Sequence, residues 1–229
     1  MTVATALDRQ KQQEPPVVGI NNQFTPTELE WFSKNSYNLA LKNTTSWDLR
    51  YVVRMLSACV RIMDHLPSTS ASATEPPNQV DLTLRALFAR FIIACSLVSL
   101  ARTQDNVEAQ LRDYRALRDH VAAFDACLTP GFLAQLADGK SREDMRRKQA
   151  ALLAFDFEAV TALGEWDELG GVVRRAGGCG DVVAYQAMAD VLLRGRVPGE
   201  GTIFFLPLFL SLGWKEECED GMELVCCCG

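Results

Sequence analysis

The sequence predicts an all-α protein of stacked antiparallel helical pairs. Three observations predict this class. Apolar residues recur at helical spacing from residue 25 onward, capping residues precede these stretches, and no convincing alternating strand pattern occurs before Pro198. With 229 residues and 48% hydrophobic content, the chain can build one ordinary core or a short helical array.

The first helix is marked by residues 25–41, which read TPTELEWFSKNSYNLAL. Thr25 is a suitable N-cap, and Pro26 suits the first helical position. Glu28 follows the cap by three residues, where its carboxylate can reach back to the amide of the cap residue. The sequence therefore predicts a helix that begins with a capping box.

The second helix is predicted from about Ser46, as its cap, to Leu66. Pro67 ends it, because proline removes a backbone donor and restricts the residue before it. The next stretch, residues 68–78, is rich in Ser, Thr, Ala and Pro and predicts a flexible loop inside the helical domain.

The third helix is predicted from about Gln79 to Thr103 and contains the longest apolar stretch of the chain. Arg85 and Arg90 interrupt that stretch, and the unbroken remainder is too short for the roughly 30 Å of a bilayer core. The third helix is therefore expected to be buried within the protein, and no membrane association is expected.

The fourth helix is predicted to begin at Asp105, with Glu108 completing a capping box. Its short connection to the third helix requires an antiparallel pair. Apolar residues spaced three and four apart mark its inner face, and arginines take the remaining faces. The apolar positions are Val107, Leu111, Tyr114, Leu117, Val121 and Phe124, and the arginines are Arg112, Arg115 and Arg118.

Punctuation residues divide the rest of the helical region. Thr129-Pro130 and Asp138-Gly139 are predicted breaks, after which a helix opened by Ser141, Glu143 and Asp144 reaches about Leu163. Gly164 is predicted to turn it into a shorter helix over residues 166–175, and the glycines of residues 177–180 to break the chain again. Asp181 then caps a last helix that ends near Arg194.

Three regions are predicted along the chain. Residues 1–23 are polar and glutamine-rich, which predicts a flexible, disordered arm. Residues 24–198 form the helical-repeat domain. Residues 199–229 form an atypical tail that is first apolar, then acidic and finally cysteine-rich, and this change of character indicates an origin outside the ancestral domain.

The charge of the chain limits its partners. The formal charge of −6 lies mainly in residues 201–229, which hold one lysine and five acidic side chains. The rest of the chain is nearly neutral, whereas nucleic-acid binding usually needs a basic stripe, so no direct nucleic-acid contact is expected. The N-terminus lacks the pattern of a secretory signal, which favours an intracellular protein.

The sequence offers little material for catalysis. Its two histidines are His65 and His120, and neither a phosphate-binding glycine loop nor a paired-histidine zinc motif occurs. A nucleophilic pair of Cys179 with His120 is the weakest alternative, because no nucleophile signature surrounds either residue. The cysteines also lack paired metal-binding spacing. No enzyme activity, cofactor or metal site is therefore expected.

Three blocks of the sequence resemble one family. Residues 28–32, ELEWF, are followed by Tyr37, Asn38 and Ala40; residues 91–106, FIIACSLVSLARTQDN, lead into the fourth helix; and residues 163–169, LGEWDEL, lead to YQAMADVL. In order and spacing they resemble the C-terminal region of the fungal meiosis-specific Zip-four family, also called sporulation-protein-twenty-two. The resemblance covers roughly residues 24–198.

The resemblance implies a function. Members of this family are tetratricopeptide-like helical-repeat scaffolds that act on meiotic chromosomes, where they promote crossover formation and synaptonemal complex assembly. The resemblance therefore implies that the stacked helical pairs form a fragment of a tetratricopeptide-like α-solenoid. It implies a nuclear, non-enzymatic protein of meiosis or sporulation whose partners are recombination and synaptonemal complex proteins. Family members are much longer, so the chain is expected to correspond to a C-terminal portion.

Six residues are candidates for partner binding. Trp and Tyr dominate interface hot spots, and arginines on a helix face can contact a partner. The candidates are Trp31, Tyr37, Asn38, Arg112, Arg115 and Arg118. For each aromatic, packing between helices is the alternative role.

Several other functions stay open. The chain can be a general cytoplasmic helical-repeat adaptor, or a truncated gene product with partial or no activity. Membrane attachment of such an adaptor through the terminal CCCG, with Cys226 as acceptor, fits a prenylation frame poorly. A nucleic-acid-binding module would use the arginines of the fourth helix.

Overall fold

A computed structural model of the protein describes residues 24–66, 79–136 and 138–194. Over these residues the chain is helical and contains no strand, which confirms the all-α prediction. The predicted arm at residues 1–23, the loop at 68–78 and the tail at 199–229 lie outside the described residues. The chain divides into two compact units, residues 1–89 and 90–229.

The first unit is built on a helical hairpin. Helix α1 (Pro26–Lys42) packs along helix α2 (Leu49–His65), and helix α3 (Gln79–Thr103) begins in this unit. Leu29, near the start of α1, and Ile62, near the end of α2, are buried together. The two helices are therefore antiparallel, as expected from their short connection.

The predicted capping box opens α1. The backbone amide of Thr25 donates to Glu28 Oε2 at 2.8 Å, and the Glu28 amide donates to Thr25 Oγ1 at 3.3 Å. The hydrogen bond from the Thr25 amide holds the pKa of the Glu28 carboxyl below its usual value. Two of the amides that lack helical partners at the start of α1 are thereby satisfied.

Replacing Thr25 with alanine should lower the free energy of unfolding by about 1 kcal/mol, because the Glu28 amide loses its acceptor. The contribution of the Glu28 carboxylate should be fully present above its ordinary pKa of 4.5 and lost as the pH falls through its lowered folded value. Urea unfolding of Thr25→Ala and Glu28→Gln at neutral and acidic pH measures both effects. The exposed Glu30→Gln is the control; an equal loss in that variant would contradict the capping role.

Helix α2 and the later helix α4 (Val107–Cys127) are each capped by a residue other than the predicted one. Asp48 caps α2 by accepting from the Arg50 amide at 2.8 Å, while Ser46 donates to Asn43 within the preceding turn. Asn106 caps helix α4 by accepting from the Ala109 amide at 3.0 Å. In both places two neighbouring residues can cap, and the Ser46 and Asp105 predictions were wrong because backbone geometry selects between them.

The second unit contains the end of α3 and a series of further helices. They are α4 (Val107–Cys127), α5 (Pro130–Gln135), α6 (Gly139–Leu163), a 3₁₀ turn (Trp166–Glu168), α7 (Leu169–Cys179) and α8 (Val182–Arg194). Helix α5 is a short helix that Thr129 caps, where the sequence predicted only a break. Thr129 Oγ1 accepts from the Phe132 amide at 3.1 Å.

Helix α6 is the centre of this unit. It packs against α4, α7 and α8, and every residue from 152 to 157 is buried. Burial on all sides is characteristic of a helix that has neighbours on each face. Asp138 caps it by accepting from the Ser141 amide at 2.5 Å, so the helix begins before the predicted Ser141. Leu117 and Phe124, on the predicted inner face of α4, are fully buried, whereas Val107 at the start of that face is 63% exposed, so its assignment to the inner face was wrong.

The glycines after α6 have different roles. Gly164 and Gly180 end α6 and α7 with φ of 74° and 68°, a left-handed conformation that suits glycine. Gly177 and Gly178 were predicted to break the chain, and this prediction was wrong, because α7 continues to Cys179. Burial of this helix against α6 offsets the roughly 1 kcal/mol that each interior glycine costs.

Helix α3 is long and apolar enough to cross a membrane by length and composition, and half of its most apolar window is buried. Its end is tied to α6 by polar contacts. Arg102 pairs with Glu158, and the Lys148 ammonium lies 5.8 Å from the centre of the Phe91 ring. A buried core helix meets the same criteria of length and composition. The contacts of α3 with α6 are those expected of such a helix.

Candidate partner-binding surface

The outer face of α1 carries an exposed tryptophan. Trp31 is 60% exposed, and Asn38 and Leu39 are exposed seven and eight residues further along the same side. The Trp31 and Phe32 rings pack edge to face with 5.2 Å between their centroids, and Phe32 in turn packs on Phe24. These contacts hold one side of the Trp31 ring in place. We call the exposed residues Trp31, Asn35, Asn38 and Leu39 the α1 surface.

Tyr37 lies on the opposite side of α1. It is only 7% exposed, and burial raises its pKa to about 12. Neighbouring residues of a helix point about 100° apart, so Tyr37 faces the unit interior while Asn38 faces outward. The structure therefore separates the predicted pair, and only Asn38 belongs to the α1 surface.

The three candidate arginines of α4 have different environments. Arg112 and Arg115 are exposed. Arg118 is half-buried and pairs with three carboxylates, with its Nε 2.9 Å from Asp156 Oδ1 and its two terminal nitrogens on Glu165 and Glu168. Because three carboxylates surround the Arg118 guanidinium, its positive charge is already compensated. It therefore attracts a partner or a phosphate only weakly.

Asp156 connects Arg118 to a second arginine. Its carboxylate is almost fully buried, with Oδ1 on Arg118 and Oδ2 2.7 Å from Arg175 Nη2. Arg175 also donates to Asp125 at 2.7 Å, and Gln149 donates to the other Asp125 oxygen at 3.0 Å. This cluster, which we call the Asp156 network, joins α4, α6, the 3₁₀ turn and α7.

A second polar cluster joins α3, α4 and α6. Arg102 Nε donates to Glu158 Oε1 at 2.9 Å and its Nη2 contacts Oε2, while the Tyr114 hydroxyl donates to Oε1 at 2.9 Å. Burial and then the Glu158 charge raise the pKa of Tyr114 above its usual range. We call this the Glu158 cluster. The bidentate geometry and the third donor satisfy the buried carboxylate.

Sequence reasoning missed both clusters. Asp156 and Glu158 stand inside the apolar run ALLAFDFEAV, where two acidic residues are unusual in a helix that is otherwise buried. That contrast was the available signal. It indicates that buried partners exist, but it does not name the arginines that supply the charge.

A shallow cleft of about 210 Å³ lies at the junction of α6, α7 and α8. Its lining residues are Glu143, Arg146, Arg147, Cys179, Gly180, Asp181 and Val182. Burial, followed by the charges of Asp125 and Asp181, raises the pKa of the Cys179 thiol. A raised pKa keeps the thiol protonated at neutral pH, which disfavours a nucleophilic role for Cys179.

Burial also makes Cys59 and Cys95 unsuited to nucleophilic chemistry. Cys59 is fully buried, and burial raises its pKa to about 12; burial also raises the pKa of Cys95. Within residues 24–66, 79–136 and 138–194, no three His, Cys, Asp or Glu side chains are grouped so that they could hold a metal ion. These thiols pack as small apolar groups.

The contacts of the described residues therefore leave the α1 surface and the exposed pair Arg112 and Arg115 as candidate binding regions.

Comparisons with known proteins add no relative. No protein-family model matches the chain, and no curated protein or solved structure matches it.

Proposed function

We propose that the chain is a non-enzymatic protein–protein interaction scaffold, built as a tetratricopeptide-like helical array, that acts in meiosis. The observation that carries this proposal is the α1 surface, where Trp31 is 60% exposed above a layer of packed aromatics. The Trp31 ring contacts Phe32 on one side and is open to solvent on the other. It therefore offers a partner a large apolar area, and little side-chain entropy is lost when the partner binds. Such residues dominate the binding energy of protein interfaces.

The polar groups around Trp31 suit a protein partner. Asn35 and Asn38 flank it on the same side of α1, and the Asn35 side chain donates to the Trp31 carbonyl at 2.8 Å. Amides beside an exposed aromatic can supply hydrogen bonds at the rim of an interface. Leu39, 46% exposed, extends the apolar contact by a further two turns.

The biological setting comes from the sequence resemblance. It suggests recombination and synaptonemal complex proteins as partners, a nuclear location on meiotic chromosomes, and a role in crossover formation. Direct nucleic-acid binding is not part of the proposal, because three carboxylates already surround Arg118. The raised pKa of Cys179 supports a role without nucleophilic catalysis.

Replacing Trp31 with alanine should reduce partner retention at least about tenfold without changing stability, because the side chain is exposed and its loss removes a hot-spot contact. The full chain serves as bait in nuclease-treated extracts of meiotic and vegetative cells, and retained proteins are identified by mass spectrometry. Recombination or synaptonemal complex proteins retained only from meiotic extract are the expected result.

Two variants serve as controls for this measurement. Tyr51→Ala removes an aromatic of α2 that is 62% exposed and lies outside the α1 surface, so it should retain the partner. The double variant Arg112→Gln, Arg115→Gln tests the arginine face separately. Retention of chaperone or trafficking proteins from both extracts would instead support a general adaptor, and unchanged binding by Trp31→Ala would remove the α1 surface from consideration.

A further inference from the structure

An exposed apolar face runs along the 3₁₀ turn and helix α7. Trp166 is 51% exposed and Val173 is 39% exposed, and the two residues are about two turns apart on the same side of the chain. The opposite side of α7 buries Val172 and Ala176. Large apolar side chains therefore occupy the outer side of this element as well as its inner side.

Tyr185 of α8 extends this face. A Cβ atom at Gly177 would lie 2.9 Å from the Tyr185 hydroxyl oxygen, so the phenol, 40% exposed, crosses over the α7 backbone at this glycine. A Cβ atom at Gly170, between Trp166 and Val173, would meet no atom of the described residues within 4 Å. The α7 backbone is therefore open to close approach there. We call Trp166, Gly170, Val173, Gly177 and Tyr185 the α7 surface.

The α7 surface has the length of a short helix. Trp166 and Gly177 are eleven residues apart, which corresponds to about 16 Å or three helical turns. Helices that contact each other through small residues approach to the short end of the usual range of about 8–10 Å between axes. An amphipathic helix of a partner can therefore lie along α7, with its apolar side on Val173 and Tyr185.

The charge around Trp166 is negative. Trp166 lies between Glu165 and the exposed Asp167, and Asp167 pairs with no cation among the described residues. Glu165 belongs to the Asp156 network, in which four carboxylates share two guanidiniums. With Asp167, this region carries three more negative than positive charges. A basic side chain of a partner is therefore attracted to this end of the surface.

The chemistry of Trp166 suits the same basic side chain. An indole is the strongest cation–π acceptor among the aromatic side chains, and the Asp167 carboxylate is next to it in the chain. Arg174, exposed and about two turns beyond Trp166, carries the opposite charge. The charges of the surface therefore orient a partner helix, with its basic residue at the Trp166 end.

We propose that the α7 surface binds an amphipathic helix of another protein, whose apolar stripe packs on Val173 and Tyr185 and whose arginine or lysine stacks on Trp166 beside Asp167. The α1 surface lies in the other unit and is not used. The proposal therefore stands independently of the proposed function.

Selection from a displayed library of amphipathic helices, with the full chain as target, tests the chemistry of the partner. Each helix has about four turns, a fixed stripe of leucine and alanine, and charged positions randomised among Lys, Arg, Asp and Glu. Arginine or lysine should be enriched several-fold at one end of the stripe. Enrichment of acidic residues at both ends, or no enriched helix, would overturn the proposal.

Variants of the full chain then locate the site of the enriched helices. Trp166→Ala should weaken their binding at least about tenfold, and Asp167→Asn should weaken it less and reduce its dependence on salt. Trp31→Ala should leave it unchanged. If all enriched helices lose binding with Trp31→Ala and none with Trp166→Ala, they bind the α1 surface and the proposal is wrong.

A glycine substitution tests the contact without removing any native side chain. Gly170→Leu fills the open space on the α7 surface and should weaken binding at least about tenfold, while the urea midpoint stays unchanged or rises because an interior helix glycine is replaced. Gly139→Leu is the matched control, since a Cβ atom there also meets no atom within 4 Å and the residue opens α6. Equal binding by the Gly170→Leu and Gly139→Leu chains would contradict the proposed contact.

Sedimentation of the chain alone distinguishes another protein from a second copy. The chain should show no dimer that depends on the α7 surface. A dimer that forms with rising concentration and is abolished by Gly170→Leu, but not by Gly139→Leu, would identify a second copy as the occupant and overturn the proposal.

Discussion

Replacing Asp156 with asparagine is expected to lower the free energy of unfolding by about 3 kcal/mol, because it leaves two arginines without their shared buried carboxylate. The Asp156 side chain is 4% exposed and contacts Arg118 at 2.9 Å and Arg175 at 2.7 Å. Asparagine keeps the shape and accepts one hydrogen bond, but it removes the charge that both cations need. Both arginines retain other carboxylates, which limits the loss to the lower end of the range for buried pairs.

Urea unfolding followed by circular dichroism measures this loss, with Asp119→Asn as the matched control. Asp119 is an exposed aspartate of α4, and its substitution makes the same change in charge. Its effect should stay within about 0.5 kcal/mol, as for most surface substitutions. If the two variants lose equal stability, the Asp156 network is not a stabilising junction between α4, α6 and α7.

The local features of the sequence predicted most of the helices. Thr25, Pro26 and Glu28 act within four residues of each other, so the start of α1 follows from nearest neighbours alone. The bounds of α3, Gln79–Thr103, were likewise predictable from one apolar stretch between a loop and a polar connection. The predicted caps of α2 and α4 were wrong where two suitable residues stand close together, as with Asp105 and Asn106.

The surroundings of the candidate partner-binding residues were less predictable than the helices, because the residues that contact them are distant in sequence. Arg118 meets Glu165 and Glu168 about fifty positions later, and no local pattern reveals that these carboxylates surround it. Tyr37 and Asn38 were predicted together, although adjacent helical residues point in different directions. The side of α1 that is buried depends on α2, which the sequence of α1 does not contain.

The Asp156 network and the α1 surface have different physical roles. The network joins α4, α6 and α7 through the almost fully buried Asp156 carboxylate and its two arginine partners, so its effect should appear in stability. The α1 surface contains exposed groups, so its effect should appear in binding. A variant that changes stability and binding together would indicate that the surface depends on the fold of its unit.

The Glu158 cluster leads to a different expectation for single and combined substitutions. Arg102→Met alone should lower the free energy of unfolding by about 3 kcal/mol, because it leaves the Glu158 carboxylate, whose side chain is only 14% exposed, with the Tyr114 hydroxyl as its remaining donor in the cluster. Glu158→Leu alone should cost a similar amount, since it removes the carboxylate that pairs with the Arg102 guanidinium, whose side chain is 14% exposed.

Removing the whole Glu158 cluster should cost less than removing one member. In the triple variant Arg102→Met, Glu158→Leu, Tyr114→Phe, no buried charge or hydroxyl of the cluster remains to be satisfied, and apolar groups of similar volume take their place. Urea unfolding of the single and triple variants gives the coupling energy directly. Since most of the single-variant loss is the cost of an unpaired buried charge, the triple variant should recover at least half of it. Losses that simply add would show that the three side chains act separately, each through its own packing against α6.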